Sequence, residues 1–302
     1  MSTYNGAQYI KEQIDSILNQ SFTDYQLFIR DDGSTDQTPS LIEGMAAADS
    51  RIVIIKDSAS GNTNLGFGGS FSTAMGYALT HSDCSYFAFC DQDDYWEVDK
   101  LQAAYDSLNS EPADVPALFS SNYYICDSQL QVKNTFSETD PMDGVTFSNM
   151  FFEGVFPGFT MVINRRLAEM AFLNDRASSI YYHDKWASLI ALGQNGRIIY
   201  SNECLAKYRR HEGAVSSTDL GFIRKLTWRI DKVLNGDFCP RTRDVISYYK
   251  ELFGDDSDAG IHRFLTVFTT GSIIRKFFYP KRLRRSMSGE IMLRMIILLG
   301  KI

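Results

Sequence analysis

Apolar positions in the first third of the chain alternate between two rhythms. Over residues 7–20, Ile10, Ile14, Ile17 and Leu18 fall at helical spacing. Residues 25–30 form a short β-rich run that ends at Asp31-Asp32-Gly33-Ser34-Thr35-Asp36. Leu41, Ile42 and Met45 mark a second helix, followed by an apolar run over 52–55. A Gly/Asn-rich loop over 61–69 leads into a third helix carrying Phe71, Ala74, Met75 and Ala78. Residues 86–90 form another buried-type strand that ends at Asp91-Gln92-Asp93-Asp94. Short apolar strands joined by helical crossovers predict a parallel sheet covered on both faces. Later the pattern loosens: 118–125 and 159–163 read as strands, and 181–192 as a loop entering a helix. Residues 2–6 read as a strand-to-helix loop with only Met1 before them. An apolar strand of about six residues is therefore expected upstream, in a natural reading frame that starts earlier.

Composition changes this picture through charge. The 302 residues carry a net −7, which excludes a strongly basic nucleic-acid binder. The total conceals a division: residues 1–220 sum to −15 and residues 221–302 to +8. The positive excess sits in 259–302, with nine basic residues and one acidic. A polar stretch near 214–221 marks the boundary, giving an acidic α/β domain over 1–220 and a basic helical extension over 221–302. The five cysteines form no CxxC pair, so they read as reduced thiols rather than a disulfide framework or zinc site. The longest late apolar run, 291–299, is short and broken by Arg294, and nothing approaches the ~18 residues a membrane span requires.

Both acidic clusters sit just past the ends of strands, the edge at which open α/β sheets bind ligands. Like charges at 4 Å repel by about 4 kcal/mol at an effective dielectric near 20. A divalent cation relieves that repulsion, and carboxylate oxygens suit Mg²⁺ or Mn²⁺. Each cluster also has a plainer reading, as an acidic turn capping the next helix.

The ordered set Asn5-Gly6, Asp31-Asp32-Gly33-Ser34-Thr35-Asp36, Asn64-Leu65-Gly66 and Asp91-Gln92-Asp93-Asp94 resembles the inverting family 2 glycosyltransferases of the GT-A fold. The resemblance covers residues 1 to about 215. Cys90-Asp91-Gln92-Asp93-Asp94-Tyr95-Trp96, with His183-Asp184-Lys185-Trp186 later, is most similar to the rhamnosyltransferase branch. It implies an α/β, Rossmann-like, mostly parallel sheet with helices on both faces, plus a helical C-terminal extension. By resemblance, Thr3, Tyr4 and Asp32 would hold the nucleotide base and ribose, and Asn64 would lie near the donor. Asp91 and Asp93 would match the metal motif, with Asp94 able to replace either, since the string aligns ambiguously by one position. Asp184 would be the catalytic base; read alone it is equally an N-cap. Arg209 and Arg210 would close over the diphosphate, with His211 as a metal ligand or phosphate donor. The aromatic run 151–159 would line the acceptor side, or else is core.

The implied reaction moves a sugar, L-rhamnose from dTDP-L-rhamnose, onto a growing surface polysaccharide or lipid-linked glycan, at the cytoplasmic face of the cell membrane. A UDP-hexose donor is the alternative, as is a catalytically silent glycan-binding relative. In 259–302, the helical face of Ile261, Phe264, Leu265 and Phe268, then Ile273, Ile274, Phe277 and Phe278, adjoins Lys281, Arg282, Arg284 and Arg285. Aromatic and aliphatic residues beside clustered cations fit a helix lying in an anionic membrane interface. The same pattern fits an extension packed on the catalytic domain or on a second copy in a homo-oligomer.

Overall fold

The computed structural model describes residues 1–56, 64–136, 141–174, 180–211 and 238–302. The predicted boundary near 214–221 and the start of the 61–69 loop lie outside the described residues. The chain divides into two compact units, one of Met1–Pro141, Phe156–Ala191 and Asn195–His211, the other of Met142–Val155, Leu192–Gln194 and Glu212–Ile302.

The first unit opens with β1 (Ser2–Thr3), α1 (Ile10–Leu18), β2 (Leu27–Asp31), α2 (Thr38–Ala48) and β3 (Ile52–Ile54). The three strands pair in parallel in the order β1-β2-β3. Ser2 and Thr3, expected in a loop, instead pair with Arg30 and Asp31. Then follow α3 (Gly66–His81), β4 (Tyr86–Ala88), β5 (Tyr95–Trp96), α4 (Lys100–Leu108), β6 (Ala117–Cys126) and β7 (Val132–Thr135). The last four residues of the predicted glycine-rich loop form the first turn of α3. After a 3-10 turn (Gly158–Thr160) come β8 (Val162–Asn164), α6 (Arg165–Phe172), α7 (His183–Gly193) and β9 (Arg197–Arg209).

The second sheet runs β4-β8-β6-β9-β5, with β7 on β6. Only β6 and β9 are parallel there; the other pairs are antiparallel. Strand direction is therefore more mixed than the N-terminal alternation implies. β7, joined to β6 by a short turn with no helical crossover, can only return antiparallel. A cavity of about 550 Å³ lies between β2 and β4, lined by Met1, Leu27, Phe28, Phe71, Phe87 and Phe89 among others.

Ile10, Ile14 and Ile17 carry α1 onto Leu27, Ile29 and Ile52, and the same core takes in Cys90, Trp96, Tyr123 and Phe159. Each fully buried aliphatic contributes about 1.5–3 kcal/mol. This core holds the C-terminal ends of β1, β2 and β4 at fixed spacing, so the loops that follow them form the site.

The second unit contains α5 (Phe147–Met150), α8 (Phe238–Phe253), α9 (Ala259–Thr270), α10 (Ile273–Phe277) and α11 (Met287–Leu298). Its centre is aromatic: Phe147, Phe151, Tyr249, Phe264, Phe268 and Tyr279 meet in stacked and edge contacts. The apolar face of α9 predicted to lie in a membrane is thus consumed internally. Phe151, Phe152, Phe156 and Phe159 are all at most 5% exposed. For the 151–159 run, that is the core reading.

Candidate functional site

The ends of β1 and β2 are laced together. Thr3 Oγ1 donates to Asp31 Oδ1 at 2.9 Å, and the Asp32 N–H donates to the Thr3 carbonyl at 2.8 Å. Thr3 is 1% exposed. Asp32 is turned inward, ion-paired with buried Arg30, and accepts the Leu65 N–H at 2.8 Å. Thr3 and Asp32, expected to hold the nucleotide, here fasten the loop. A buried pair of this kind costs about 3–5 kcal/mol to break from one side. Tyr4 stays half exposed. Its backbone is clasped by the Gln92 side-chain amide, which accepts from the Tyr4 N–H at 2.8 Å and donates to the Tyr4 carbonyl at 3.0 Å. A Cβ on Gly6 would stand 2.3 Å from Gln92 Oε1, which is why that position has none. Asn64 is exposed and accepts the Gly66 N–H at 2.9 Å, supporting the positive φ of Gly66.

The loop after β4 separates its three carboxylates by direction. Asp91 is half-buried, and burial first, then the charges of Asp93 and Asp184, push its carboxyl up to about 8. Three carboxylates therefore share one neighbourhood, offset only in part by the Met1 ammonium. Asp93 Oδ2 lies 2.9 Å from His211 Nε2, and the His211 ring sits 4.7 Å from that of Tyr9. Asp94 points into the protein. Its Oδ1 accepts the Arg209 N–H at 3.0 Å, Oδ2 has no partner, and burial raises its pKa well above the usual range. Nearby, buried Lys100 rests over the Trp96 ring at 4.6 Å, its ammonium lowered to about 7 by burial. Glu97 leaves the cluster for Lys207, at 3.1 Å.

Arg209 is not available for a diphosphate. Its guanidinium is 2% exposed, donates to the carbonyls of Asp93 at 2.7 Å and Ser128 at 2.8 Å, pairs with Glu12, and covers the Tyr9 ring. It stitches the end of β9 to α1 and to the Asp93 loop. Arg210 follows it, half-buried, with its N–H on the Cys126 carbonyl at 2.9 Å.

Asp184 lies inside the first turn of α7, where the helix dipole favours a carboxylate. Its Oδ2 accepts the Gly158 N–H at 3.2 Å and its Oδ1 the Lys185 N–H at 2.7 Å. Partly exposed, it keeps lone pairs free for a proton. His183 beside it is buried in an aromatic cage, stacked on Phe71 at 4.2 Å and packed against Phe89 at 4.5 Å and Phe67 at 5.2 Å. Neither ring nitrogen has a partner, and burial lowers the imidazole to about 4, so the ring is neutral near pH 7. A Cβ on Gly158 would meet His183 Nε2 at 2.5 Å.

Gly68 sets the approach of this segment. A Cβ there would lie 2.2 Å from the Ile180 carbonyl oxygen and 2.6 Å from Tyr181 Cα, both backbone. Gly68→Ala must therefore displace the strand of chain that delivers Asp184. Overpacking of this kind costs about 1–3 kcal/mol. We expect a lower melting temperature and a loss of about tenfold in kcat, since small misplacements of reacting groups are costly. An unchanged kcat in a folded Gly68→Ala protein would contradict this coupling.

Among the described residues, no three His, Cys, Asp or Glu side chains enclose a metal position by themselves. Of the predicted set Asp91, Asp93 and His211, only Asp93 and His211 are in direct contact. Two or three oxygen and imidazole donors still suit a cation that completes its shell with water and substrate phosphates, as Mg²⁺ and Mn²⁺ do. The acidic surroundings of Asp91, offset only in part by the Met1 ammonium, fit such a cation, shared with a donor, rather than an all-protein cage.

Gln92, Gly158, Gly68 and Glu12 were not singled out by the sequence. Gln92 alone carried a signal, being the one uncharged residue inside the acidic string. Glu12 meets Arg209 across 197 positions, which no local pattern reveals.

A family model described as glycosyl transferase family 2 matches residues 1–169. A dTDP-rhamnosyl transferase, RfbG of Shigella flexneri, is 31% identical over 74% of this chain and 76% of its own length. A putative teichuronic acid biosynthesis glycosyltransferase, TuaG of Bacillus subtilis (strain 168), is 26% identical over 75% of this chain and 83% of its own. A mannosyltransferase of Pyrobaculum calidifontis, solved in complex with GDP-Man and Mn²⁺, superposes with a TM-score of 0.52 at 16% identity, covering 99% of this chain and 78% of that one.

Proposed function

Because the chain belongs to glycosyl transferase family 2 and has the GT-A fold, we propose that it is an inverting transferase moving L-rhamnose from dTDP-L-rhamnose to a hydroxyl of a surface polysaccharide or lipid-linked glycan. The observation that carries the reading is the convergence of Asp91, Asp93 and Asp184 beside the loops that follow β1 and β2. The rhamnosyl donor is supported by the 31% identical relative, and the polysaccharide product by the teichuronic acid relative.

The acceptor hydroxyl attacks the anomeric carbon from the face opposite the nucleotide diphosphate. A new C–O bond forms as the bond to the diphosphate breaks, with inversion. The hydroxyl proton passes to Asp184, which the Gly158 N–H holds in place. No enzymatic nucleophile is required. Charge left on the diphosphate falls to the basic segment after β9, where Arg210 takes the role that buried Arg209 cannot. Asp93 and His211, with Asp91, would hold a divalent cation that neutralises phosphate charge when bound.

A thermal-shift panel of dTDP-L-rhamnose, UDP-glucose and GDP-mannose, with and without Mn²⁺, tests the donor. At a hundredfold excess over Kd a true donor adds about 2.7 kcal/mol. The largest shift should come from dTDP-L-rhamnose with Mn²⁺. A larger shift with UDP-glucose moves the assignment to a UDP-hexose transferase, and no shift with any of them leaves a glycan-binding relative without donor chemistry.

A further inference from the structure

The second unit carries a face that its own core leaves uncovered. On α11, Leu293, Ile296 and Ile297 are buried, whereas Met287, Ile291, Met295 and Leu298 are 45–64% exposed. These four recur at helical spacing and form one apolar stripe along the outer side. Leu299, just past the helix, is 62% exposed. At that end Ile273 of α10 lies 3.5 Å from where a Cβ on Gly300 would be, so α10 continues the stripe. Ile274 and Phe278 add two of the most exposed apolar side chains, at 68% and 73%.

Among the side chains of residues 259–302, the exposed charge has one sign. Glu290 is the sole carboxylate side chain of residues 259–302, and it is buried. It accepts the N–H groups of Leu283 and Arg284 and the Arg294 guanidinium. Arg294 is spent on the carbonyls of Lys276, Tyr279 and Lys281, locking α10 and the following turn onto α11. Arg284 and Arg285 are likewise engaged inside the unit, on Phe152 and Glu153. Of the basic residues in 259–302, Arg263, Arg275, Lys281, Arg282 and Lys301 remain exposed, with Asp258 near Lys281. An apolar stripe on a segment whose own exposed charges are all cations matches acyl chains beneath anionic headgroups. A water-facing protein surface would mix both signs.

We propose that, within the segment 259–302 suggested by sequence, the α10–α11 face and not the α9 face docks this protein on an anionic lipid bilayer, with the helix axes in the plane of the interface. The proposal rests on the reading of a transferase that works on lipid-linked glycans. Among the described residues no helix is long and apolar enough to cross a membrane, so the proposed contact is one that lies along the surface.

The test is sedimentation of the full-length protein with vesicles of phosphatidylcholine and phosphatidylglycerol at 7:3, against phosphatidylcholine alone (about a 30% anionic surface). Wild type should pellet with the anionic vesicles only, and less so at high salt. Ile291→Ser/Met295→Ser and Lys281→Glu/Arg282→Glu should each reduce binding more than tenfold, with unchanged melting temperature and unchanged thermal shift by dTDP-L-rhamnose. Equal binding by the variants overturns the proposal, as does no binding by wild type. So does light scattering that shows a dimer lost in the Ile291→Ser/Met295→Ser protein, which would assign the face to a second copy. Because donor binding is measured on the same proteins, failure here is distinct from failure of the transferase reading.

Discussion

Asp184→Asn abolishes sugar transfer and leaves donor binding within about threefold of wild type. The substitution is nearly isosteric. An asparagine Oδ1 can still accept the Gly158 N–H, now at 3.2 Å, so the loop before β8 and the first turn of α7 keep their contact. What disappears is the proton acceptor. A positioned general base is worth about 10²–10⁴ in rate, and a sugar hydroxyl has no strong nucleophilicity of its own to replace it. Removing the Asp184 charge also removes one of the repulsions that raise the Asp91 carboxyl. Donor binding at the acidic loop should therefore not weaken for electrostatic reasons. Nucleotide diphosphate release measures turnover, and calorimetry measures donor affinity. Turnover near wild type would end the assignment of Asp184 as base. Lost donor binding together with a lower melting temperature would mark it as a structural cap of α7.

The second large effect is at Asp93. Asp93→Ala removes the carboxylate bonded to His211 but not the Asp93 carbonyl that accepts from Arg209, so the loop keeps its main attachment to β9. Folding should be close to wild type. If Asp93 helps to hold a divalent cation, donor affinity with Mn²⁺ falls about 100-fold, the upper end of what loss of even an outer-shell partner costs. In EDTA the two proteins should bind donor equally and weakly. Calorimetry in both conditions separates the cases. An equal loss with and without Mn²⁺ would make Asp93 a direct donor contact, and no loss in either would remove it from the site.

The two outcomes bear on how much of the site is legible along the chain. The acidic strings after β2 and β4 stand out because they interrupt apolar runs, and a strand that ends in several carboxylates is a local pattern. The pairing of Asp184 with a strand end 90 residues earlier is not local, and it rested on resemblance. Where side chains read as ligand contacts are engaged within the protein, the cause is shared. Thr3, Asp32 and Arg209 look like ligand-binding types, but each is buried against a partner that sequence does not reveal: Asp31, Arg30, and Glu12 with two carbonyls. A polar side chain is available to a ligand only if no protein group has claimed it, and that depends on neighbours from distant segments. The same holds for α9, whose periodic apolar face reads identically whether it meets lipid or, as here, Phe147, Phe151 and Phe152.

Sequence by itself determined the alternation of strands and helices, the strand-end position of the acidic loops, the family, and the positive C-terminal segment. These follow from periodicity and residue type, which act over a few neighbouring positions. Tertiary structure decided how the members of each charged string are placed: Asp94 turned inward and Asp93 set against His211, Arg209 buried and Arg210 half-buried. It also decided that the exposed apolar face lies on α10 and α11. Direction and burial are set by packing between segments far apart in the chain, where desolvation makes every unpaired charge costly and so selects its partner.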